Sequence, residues 1–168
     1  MTFTEQNVSS SDTALTIVPL DEIDATDLRD WLINAQTDFW DERDLRDQHH
    51  PVWFRQFGSD GLVARSDGTT VGYLLGVVPV SGVAYVHLVA ARRDHRGMGI
   101  GRKLYESFIA KAKQQGARSI EAMTSAGNSS SIAFHTAIGF RAEIVADYAG
   151  PGEDRVLFEM PLNGNDHG

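Results

Sequence analysis

The chain of 168 residues contains no cysteine. This absence excludes disulfide bonds, zinc sites built from thiolates and a cysteine nucleophile, and it fits a reducing compartment. No apolar run approaches the roughly 20 residues that a membrane-spanning helix needs. The N-terminal segment Met1–Ser11 is polar and lacks the basic and hydrophobic parts of a secretory signal. We therefore expect a cytoplasmic protein with no membrane partner.

Positive charge is also scarce, since the formal net charge is −8. Nucleic-acid binding needs a basic surface, so we expect no nucleic-acid partner. An acidic surface keeps a protein soluble, and it is also compatible with a cationic substrate such as an amine. The apolar share of 42% and the charged share of 23% are ordinary for a globular protein, and the length suits one domain.

The order of apolar patterns predicts an α+β fold in which a sheet is covered by helices. We expect a single domain over residues 13–162, between flexible polar tails at 1–12 and 163–168. The segment Asp38–His50 is crowded with charge and is predicted as a broken helix or loop that Pro51 ends. The predicted strands are Thr13–Leu20, Gly61–Arg65, Val71–Val80, Ala84–Ala91, Arg118–Ser125, Arg141–Asp147 and Arg155–Leu162, with helices from Leu28, Ile100 and Asn128.

The most informative segment is Arg96-Gly97-Met98-Gly99-Ile100-Gly101, between an apolar strand and an amphipathic helix. Glycines at alternate positions let the backbone approach a ligand closely. A helix N-terminus adds unpaired N–H donors and partial positive charge, which favour an anion. With Arg96 and Arg102 beside the turn, the segment predicts a site for phosphate or pyrophosphate.

Two well-known glycine loops fit this segment poorly. A Walker-type loop needs Lys-Ser or Lys-Thr after its last glycine, whereas Gly101 is followed by Arg102-Lys103-Leu104. A dinucleotide fingerprint needs a third glycine where Arg102 stands, although Glu121 lies near the distance expected for its carboxylate.

A third loop fits better. The pattern Arg-x-x-Gly-x-Gly at Arg96, Gly99 and Gly101 resembles the coenzyme A pyrophosphate loop of the GNAT N-acyltransferases. The later segment from Asn128 to Phe140 is similar to that family's Asn-x-x-Ala-x-x-Phe-Tyr-x-x-x-Gly-Phe segment, in order and in spacing. The resemblance covers residues 84–140 and identifies the chain as a member of the family.

The resemblance implies the GNAT fold, a mixed and mostly antiparallel sheet of about seven strands with helices on both faces. It also implies acetyl-CoA as cosubstrate and no metal. In this family the strand before the loop parts from its neighbour and binds the pantetheine arm, while backbone amides of the loop hold the pyrophosphate. The implied cofactor-binding residues are Val89, Ala90, Ala91, Arg96, Gly97, Met98, Gly99, Ile100, Gly101, Arg102 and Asn128.

The family's reaction is direct acyl transfer to an amine, which requires an acid for the leaving thiolate. The usual tyrosine is His135 in this chain. An imidazolium, with an unperturbed pKa near 6.5, would be a competent acid. Alternatively, His135 fills the helix face while Tyr73, Tyr85, Tyr148 or water donates the proton.

A base for the attacking amine is also required. His87 lies on the strand before the loop, and strand alternation predicts that it shares a face with Tyr85 and Val89. It could accept the amine proton, or it could be a histidine satisfied within the sheet. Glu121 and Asp147 are alternatives on flanking strands.

The acceptor pocket is expected beside the first helices, where aromatic and acidic residues mix. Such a mixture suits a cation, although a buried helix face with a solvated acidic side has the same composition. We expect a small-molecule primary amine as acceptor. The alternatives are a coenzyme A-binding module without turnover and a transferase acting on protein N-termini or lysines, and a homodimer is compatible with each. The acceptor candidates are Trp31, Phe39, Trp40, Asp41, Glu42, Asp44 and Trp53.

Overall fold

The computed structural model describes residues 14–34, 36–41, 44 and 46–162, so the predicted tails lie outside the described residues. A seven-stranded sheet runs through the described residues in the order β1-β2-β3-β4-β5-β7-β6. Neighbouring strands are antiparallel except β4 and β5, which are parallel, and this confirms the predicted mixed, mostly antiparallel sheet. The strands are β1 (Leu15–Pro19), β2 (Leu62–Ser66), β3 (Thr69–Val77), β4 (Val83–Ala91), β5 (Ser119–Ser125), β6 (Arg141–Val145) and β7 (Arg155–Pro161).

Helices cover both faces of the sheet. Apolar side chains of α4 and α5 pack on one face, and side chains of α2 and α3 belong to a second cluster on the other face. Among the described helices, none has both the length and the apolar composition needed to cross a bilayer. The helices are α1 (Ala25–Asn34), α2 (Gln36–Trp40), α3 (Pro51–Gln56), α4 (Ile100–Gln114) and α5 (Ser129–Ile138).

The charged segment ends at Pro51 as expected, and Pro51 also begins α3, which was not predicted. Proline suits the first turn of a helix because its missing N–H would have no helical partner there. The side chain of His50 accepts a hydrogen bond from the amide of Val52 and caps the helix. Sequence reasoning therefore missed a short helix that places Trp53 and Phe57 near the sheet.

The predicted hairpin is confirmed between β2 and β3. Asp67 and Gly68 form a two-residue connection in which both residues have positive φ, 51° and 76°. This geometry matches the right-handed twist of the paired strands.

Gly72 of β3 allows α4 to lie directly on the sheet. A Cβ at this position would come 2.6 Å from Ile100 Cγ2 and 3.0 Å from the carbonyl oxygen of Ala90. Leu104 and Phe108, on the same helix, are fully buried. The close approach fixes the N-terminus of α4 beside the end of β4.

A β-bulge interrupts β4 at His87. Leu75 pairs with Leu88 and Gly76 pairs with Val86, so His87 has no partner in this ladder. Beyond the bulge, Leu88 packs with the cluster under α2 and α3, and Val89 packs with the cluster under α4. The prediction that His87 shares a face with Val89 was therefore wrong, because an extra residue reverses the alternation.

The parallel strands β4 and β5 separate part-way along their length. They pair from Val83 with Ser119 to Val86 with Ala122, and no pairing continues beyond that point although both strands do. The edge of β4 from His87 to Ala91 therefore faces an opening rather than a neighbouring strand.

Candidate active site

The opening between β4 and β5 forms a groove with a volume of about 950 Å³. Residues of the β4 edge line one wall, and Met123, Thr124 and Ser125 of β5 line the other. Backbone groups along a strand edge can hydrogen-bond an extended ligand as if it were an added strand. Of the site residues predicted from the sequence, the lining contains Val89, Ala90, Ala91, Arg96, Gly97, Gly99, Ile100, Gly101, Arg102, Asn128, His87 and His135.

The glycine turn lies at one end of the groove. Gly99 is the N-cap residue of α4, with φ 74° and no side-chain cap. The first helical hydrogen bond runs from Lys103 N to Gly99 O, at 3.0 Å. The amides of Ile100, Gly101 and Arg102 precede that bond and therefore have no acceptor within the helix. A Cβ on Gly99 would meet no atom within 4 Å, and Ile100, Gly101 and Arg102 line the groove, so a ligand can approach this turn.

Two arginines give this end of the groove its charge. An Nη of Arg96 donates to the carbonyl oxygen of Phe39 at 2.8 Å, and an Nη of Arg102 donates to that of Ala137 at 3.3 Å. Each guanidinium keeps further donors, because it carries five N–H groups. Met98 is 62% exposed and lies outside the lining, so the structure does not bring this predicted cofactor-binding residue into the groove. Open space, unpaired amides and two cations together fit a diphosphate.

Asn128 joins the end of β5 to the start of α5. Its Oδ1 accepts from the amide of Ser131 at 3.2 Å, and its Nδ2 donates to Thr124 Oγ1 at 3.0 Å. The side chain therefore caps α5 and also lines the groove.

Replacing Asn128 by alanine is expected to lower the free energy of unfolding by about 1 kcal/mol, because the helix loses its N-cap. Asn128→Asp keeps the capping oxygen and removes only the amide donor, so it should unfold close to the wild-type denaturant concentration. Urea unfolding followed by circular dichroism measures both variants. Equal destabilisation of the two would contradict a capping role.

His87 lies among aromatic rings on the face covered by α3. Its ring centroid is 5.2 Å from that of Trp53, 5.7 Å from that of Phe57 and 6.4 Å from that of Tyr85. Its Nε2 lies 3.4 Å from the carbonyl oxygen of Gln48. Since a carbonyl only accepts, this contact places the proton on Nε2 and the lone pair on Nδ1. Burial lowers the pKa of His87, with the Gln48 contact opposing this effect, so the ring is neutral at pH 7.

His135 is only 5% exposed and uses both ring nitrogens within the protein. Its Nδ1 donates to the carbonyl oxygen of Ser131 at 2.8 Å, so its Nε2 accepts from the Tyr105 hydroxyl at 2.7 Å. The ring stacks on Phe158 with centroids 4.2 Å apart. Burial lowers the pKa of His135, and burial raises that of Tyr105. Both groups are therefore neutral at pH 7.

Sequence reasoning did not single out Tyr105, which lines the groove from α4. Its position within the apolar stripe of that helix gave it the signature of a core residue. Arg155 on β7 also lines the groove and was missed. Val156 and Phe158 are buried, and side chains alternate along a strand, so the sequence could have placed Arg155 on the face of the sheet opposite to these two residues.

Asp41 and Asp44, two of the acidic residues proposed for a cation, do not line the groove. Asp41 pairs with Arg93 at 2.9 Å, and Asp44 pairs with Arg46 at 2.5 Å. The hydrogen bonds from Arg46 lower the pKa of Asp44 to about 2. Phe39 is buried in the core, whereas Trp40 does line the groove. The side chain of Trp31 and the whole of Glu42 lie outside the described residues.

A family model described as the acetyltransferase (GNAT) family matches residues 25–140. The chain belongs to the GNAT family. This GNAT protein is an acetyl-CoA-dependent acyltransferase, and the groove is its candidate active site. The predicted family and fold are thereby confirmed.

Two curated relatives of this acyltransferase are named after their substrates. It is 29% identical over 116 residues to an L-methionine sulfoximine/L-methionine sulfone acetyltransferase of Pseudomonas aeruginosa, a match that covers 64% of this chain and 67% of the relative. It is 32% identical over 92 residues to an L-2,4-diaminobutyric acid acetyltransferase of Nocardia farcinica, covering 54% of this chain and 48% of that one.

Solved structures share the fold. The ribosomal-protein-S18-alanine N-acetyltransferase of Escherichia coli superposes with a TM-score of 0.69 at 18% identity, covering 91% of this chain and 98% of that chain. The protein yncA of Salmonella typhimurium, whose structure includes its cofactor acetyl-CoA, gives a TM-score of 0.67 at 21% identity, covering 91% and 96% of the two chains.

Proposed function

We propose that this GNAT enzyme transfers an acetyl group from acetyl-CoA to the primary amine of a small molecule, by direct attack while both substrates are bound. The observation that carries the proposal is the groove, whose lining includes both the glycine turn with its unpaired amides and the neutral His87. Acetyl-CoA supplies an acetyl group activated as a thioester. The names of the curated relatives support a small amine acceptor, because each names a small amino acid or its analogue.

Different groups of the chain are assigned to different parts of acetyl-CoA along the groove. The free amides at the start of α4, with Arg96 and Arg102, are assigned to the pyrophosphate. The open edge at Val89, Ala90 and Ala91 is assigned to the pantetheine arm. A backbone N–H at Val89 or Ala90 is assigned to the thioester carbonyl oxygen, where a fixed donor stabilises the negative charge that develops during attack.

His87 is the proposed base. Its side chain lines the groove on the face where α3 packs, away from the α4 core. The neutral ring has a lone pair on Nδ1 that can accept the amine proton directly or through a water molecule.

We keep His135 at the leaving thiolate, now as a neutral ring paired with Tyr105 that donates a hydrogen bond to the sulfur and keeps its proton, because loss of its single N–H would leave an imidazolate. Its single N–H is held by the Ser131 carbonyl. Donation to sulfur therefore requires this hydrogen bond to be exchanged when the groove is filled. Since burial lowers its pKa, an imidazolium that titrates near pH 6.5 is not expected.

A pair of variants tests this assignment. His135→Phe keeps an aromatic ring and removes the hydrogen-bond donor, and it should lower kcat about 100-fold, within the usual range for loss of one donor to a developing anion. His135→Tyr restores a hydroxyl and should stay within about tenfold of wild type. Steady-state rates of free thiol release at pH 7 measure both. Full activity of the phenylalanine variant would remove His135 from the mechanism.

The function itself is tested by thiol release from acetyl-CoA with a panel of small amines. We expect release that depends on the acceptor and saturates with it, together with an acetylated amine of the correct mass. Tight acetyl-CoA binding without acceptor-dependent release would instead indicate a binding module. Release only with peptides would indicate a protein acetyltransferase.

A further inference from the structure

The charge of the groove is opposite to that of the whole protein. The chain has a formal net charge of −8. Yet the described residues that line the groove include Arg96, Arg102 and Arg155 and no aspartate or glutamate. Arg96 and Arg102 flank the glycine turn, where a diphosphate requires positive charge. Arg155 is on a different strand and has no such explanation.

Arg155 lies on the side of the sheet where the acceptor is expected. In β7 it is opposite Ser125 of β5. Val156 and Phe158 pack in the cluster under α4. Since side chains alternate along a strand, Arg155 points to the other face, which also carries His87 against Trp53. The Arg155 guanidinium therefore lies on the face of the sheet that carries His87, the proposed base, and not on the face that α4 covers.

The protein partners of Arg155 leave much of its hydrogen-bonding capacity unused. One Nη donates to the carbonyl oxygen of its neighbour Asp154 at 3.1 Å. The other lies 3.6 Å from Glu153 Oε2, whose side chain is 59% exposed. An exposed pair at this distance contributes little. The side chain of Arg155 is itself 28% exposed, so its fork of donors can be reached from the groove.

We infer that the acceptor carries a carboxylate as well as its amine, and that Arg155 binds this carboxylate. This inference rests on the proposed acetyl transfer and narrows its substrate class to amino acids and their close analogues. The planar guanidinium matches a carboxylate in two parallel hydrogen bonds. A strongly cationic acceptor such as a polyamine would find no carboxylate among the described lining residues, and Arg155 would repel it.

The test compares amino acids with the amines that they yield on loss of the carboxylate. The acceptor pairs are 2,4-diaminobutyrate with 1,3-diaminopropane, and methionine sulfone with 3-(methylsulfonyl)propylamine. Wild type should prefer the acid of a pair at least tenfold in kcat/KM. Arg155→Gln should lower kcat/KM for the acid about 10- to 100-fold, mainly through KM, as expected for a hydrogen bond between charged groups. It should leave the value for 3-(methylsulfonyl)propylamine within about twofold of wild type, and it should raise the value for the dication 1,3-diaminopropane because a repelling charge is removed.

Arg141→Gln is the matched control, because it removes the same charge at a position outside the groove. Arg141 lies on β6, and its side chain is 76% exposed. A similar fall in both variants would show a bulk charge effect and overturn the assignment. Equal kcat/KM values of the wild type for the acid and the amine of a pair would also overturn the assignment. The same holds if Arg155→Gln loses acetyl-CoA affinity by the same factor as it loses kcat/KM. Absence of turnover with every amine would instead overturn the proposed function, and the assignment with it.

Discussion

Gly99→Glu is expected to abolish measurable acetyl-CoA binding, with Kd raised more than about 100-fold. The new carboxylate would stand in front of the free amides of α4, where the diphosphate is assigned, and two like charges in a shared site repel strongly. The backbone adds a smaller penalty, since φ is 74° and a side chain in the left-handed region costs roughly 1–2 kcal/mol. Steric conflict within the protein adds nothing, because a Cβ there meets open space. Titration calorimetry with acetyl-CoA measures the loss.

Gly116→Glu separates the site effect from the backbone effect. Gly116 follows the C-terminal end of α4 with φ 81°, and a Cβ there also meets no atom within 4 Å. This variant carries the same strain and the same added charge away from the groove, so it should bind acetyl-CoA like wild type. Gly99→Lys adds comparable bulk with the opposite charge and should bind more tightly than Gly99→Glu. Wild-type affinity in Gly99→Glu would refute the assignment of the turn to the pyrophosphate.

His87→Gln is expected to lower kcat between about 100- and 10,000-fold, the usual contribution of a general base. Glutamine keeps a polar side chain of similar length but has no basic nitrogen at neutral pH. Acetyl-CoA affinity should change little, because His87 lies away from the glycine turn. Initial rates with a saturating amine measure the change in kcat, and titration with acetyl-CoA measures the change in affinity.

The pH dependence provides a second readout for the same residue. A base must be neutral to act, so activity should rise with pH through the pKa of His87 and level off above it. Burial lowers that pKa, which places the acidic limb below pH 6.5. The limb should vanish in His87→Gln, whereas His50→Gln, which changes an exposed histidine outside the groove, should retain it. A full rate with an unchanged limb in His87→Gln would exclude His87 as the base.

Local sequence signals predicted the features that depend on a few neighbouring residues. The turn at Asp67-Gly68 needs positive φ at both positions, which these residue types tolerate. The break before α4 follows in the same way from Gly97 and Gly99. Pro51 ended the charged segment as predicted, but proline also suits the first turn of a helix, and the start of α3 became evident only from the packing of Trp53 and Phe54.

Features that depend on distant pairing were not visible in the sequence. The bulge at His87 arises from the register between β3 and β4, and it moved Val89 to the other face. The hydrogen bond between Tyr105 and His135 joins residues 30 positions apart, and burial among such distant residues lowers the pKa of His135, so that the candidate imidazolium is a neutral ring. Asp41 and Asp44 looked available for a cation until their pairing with Arg93 and Arg46 was known.

By itself, the sequence determined the family, the order of the strands with the helices α4 and α5, and the glycine turn before α4, because each is encoded in a contiguous stretch of backbone preferences. The tertiary structure alone decided how far β4 and β5 pair, which face each β4 side chain occupies and which charges reach the groove. These depend on strand register and on side chains that meet across the sheet, and neither leaves a pattern along the chain. The assignment of Arg155 to the acceptor is a consequence of that second kind of information.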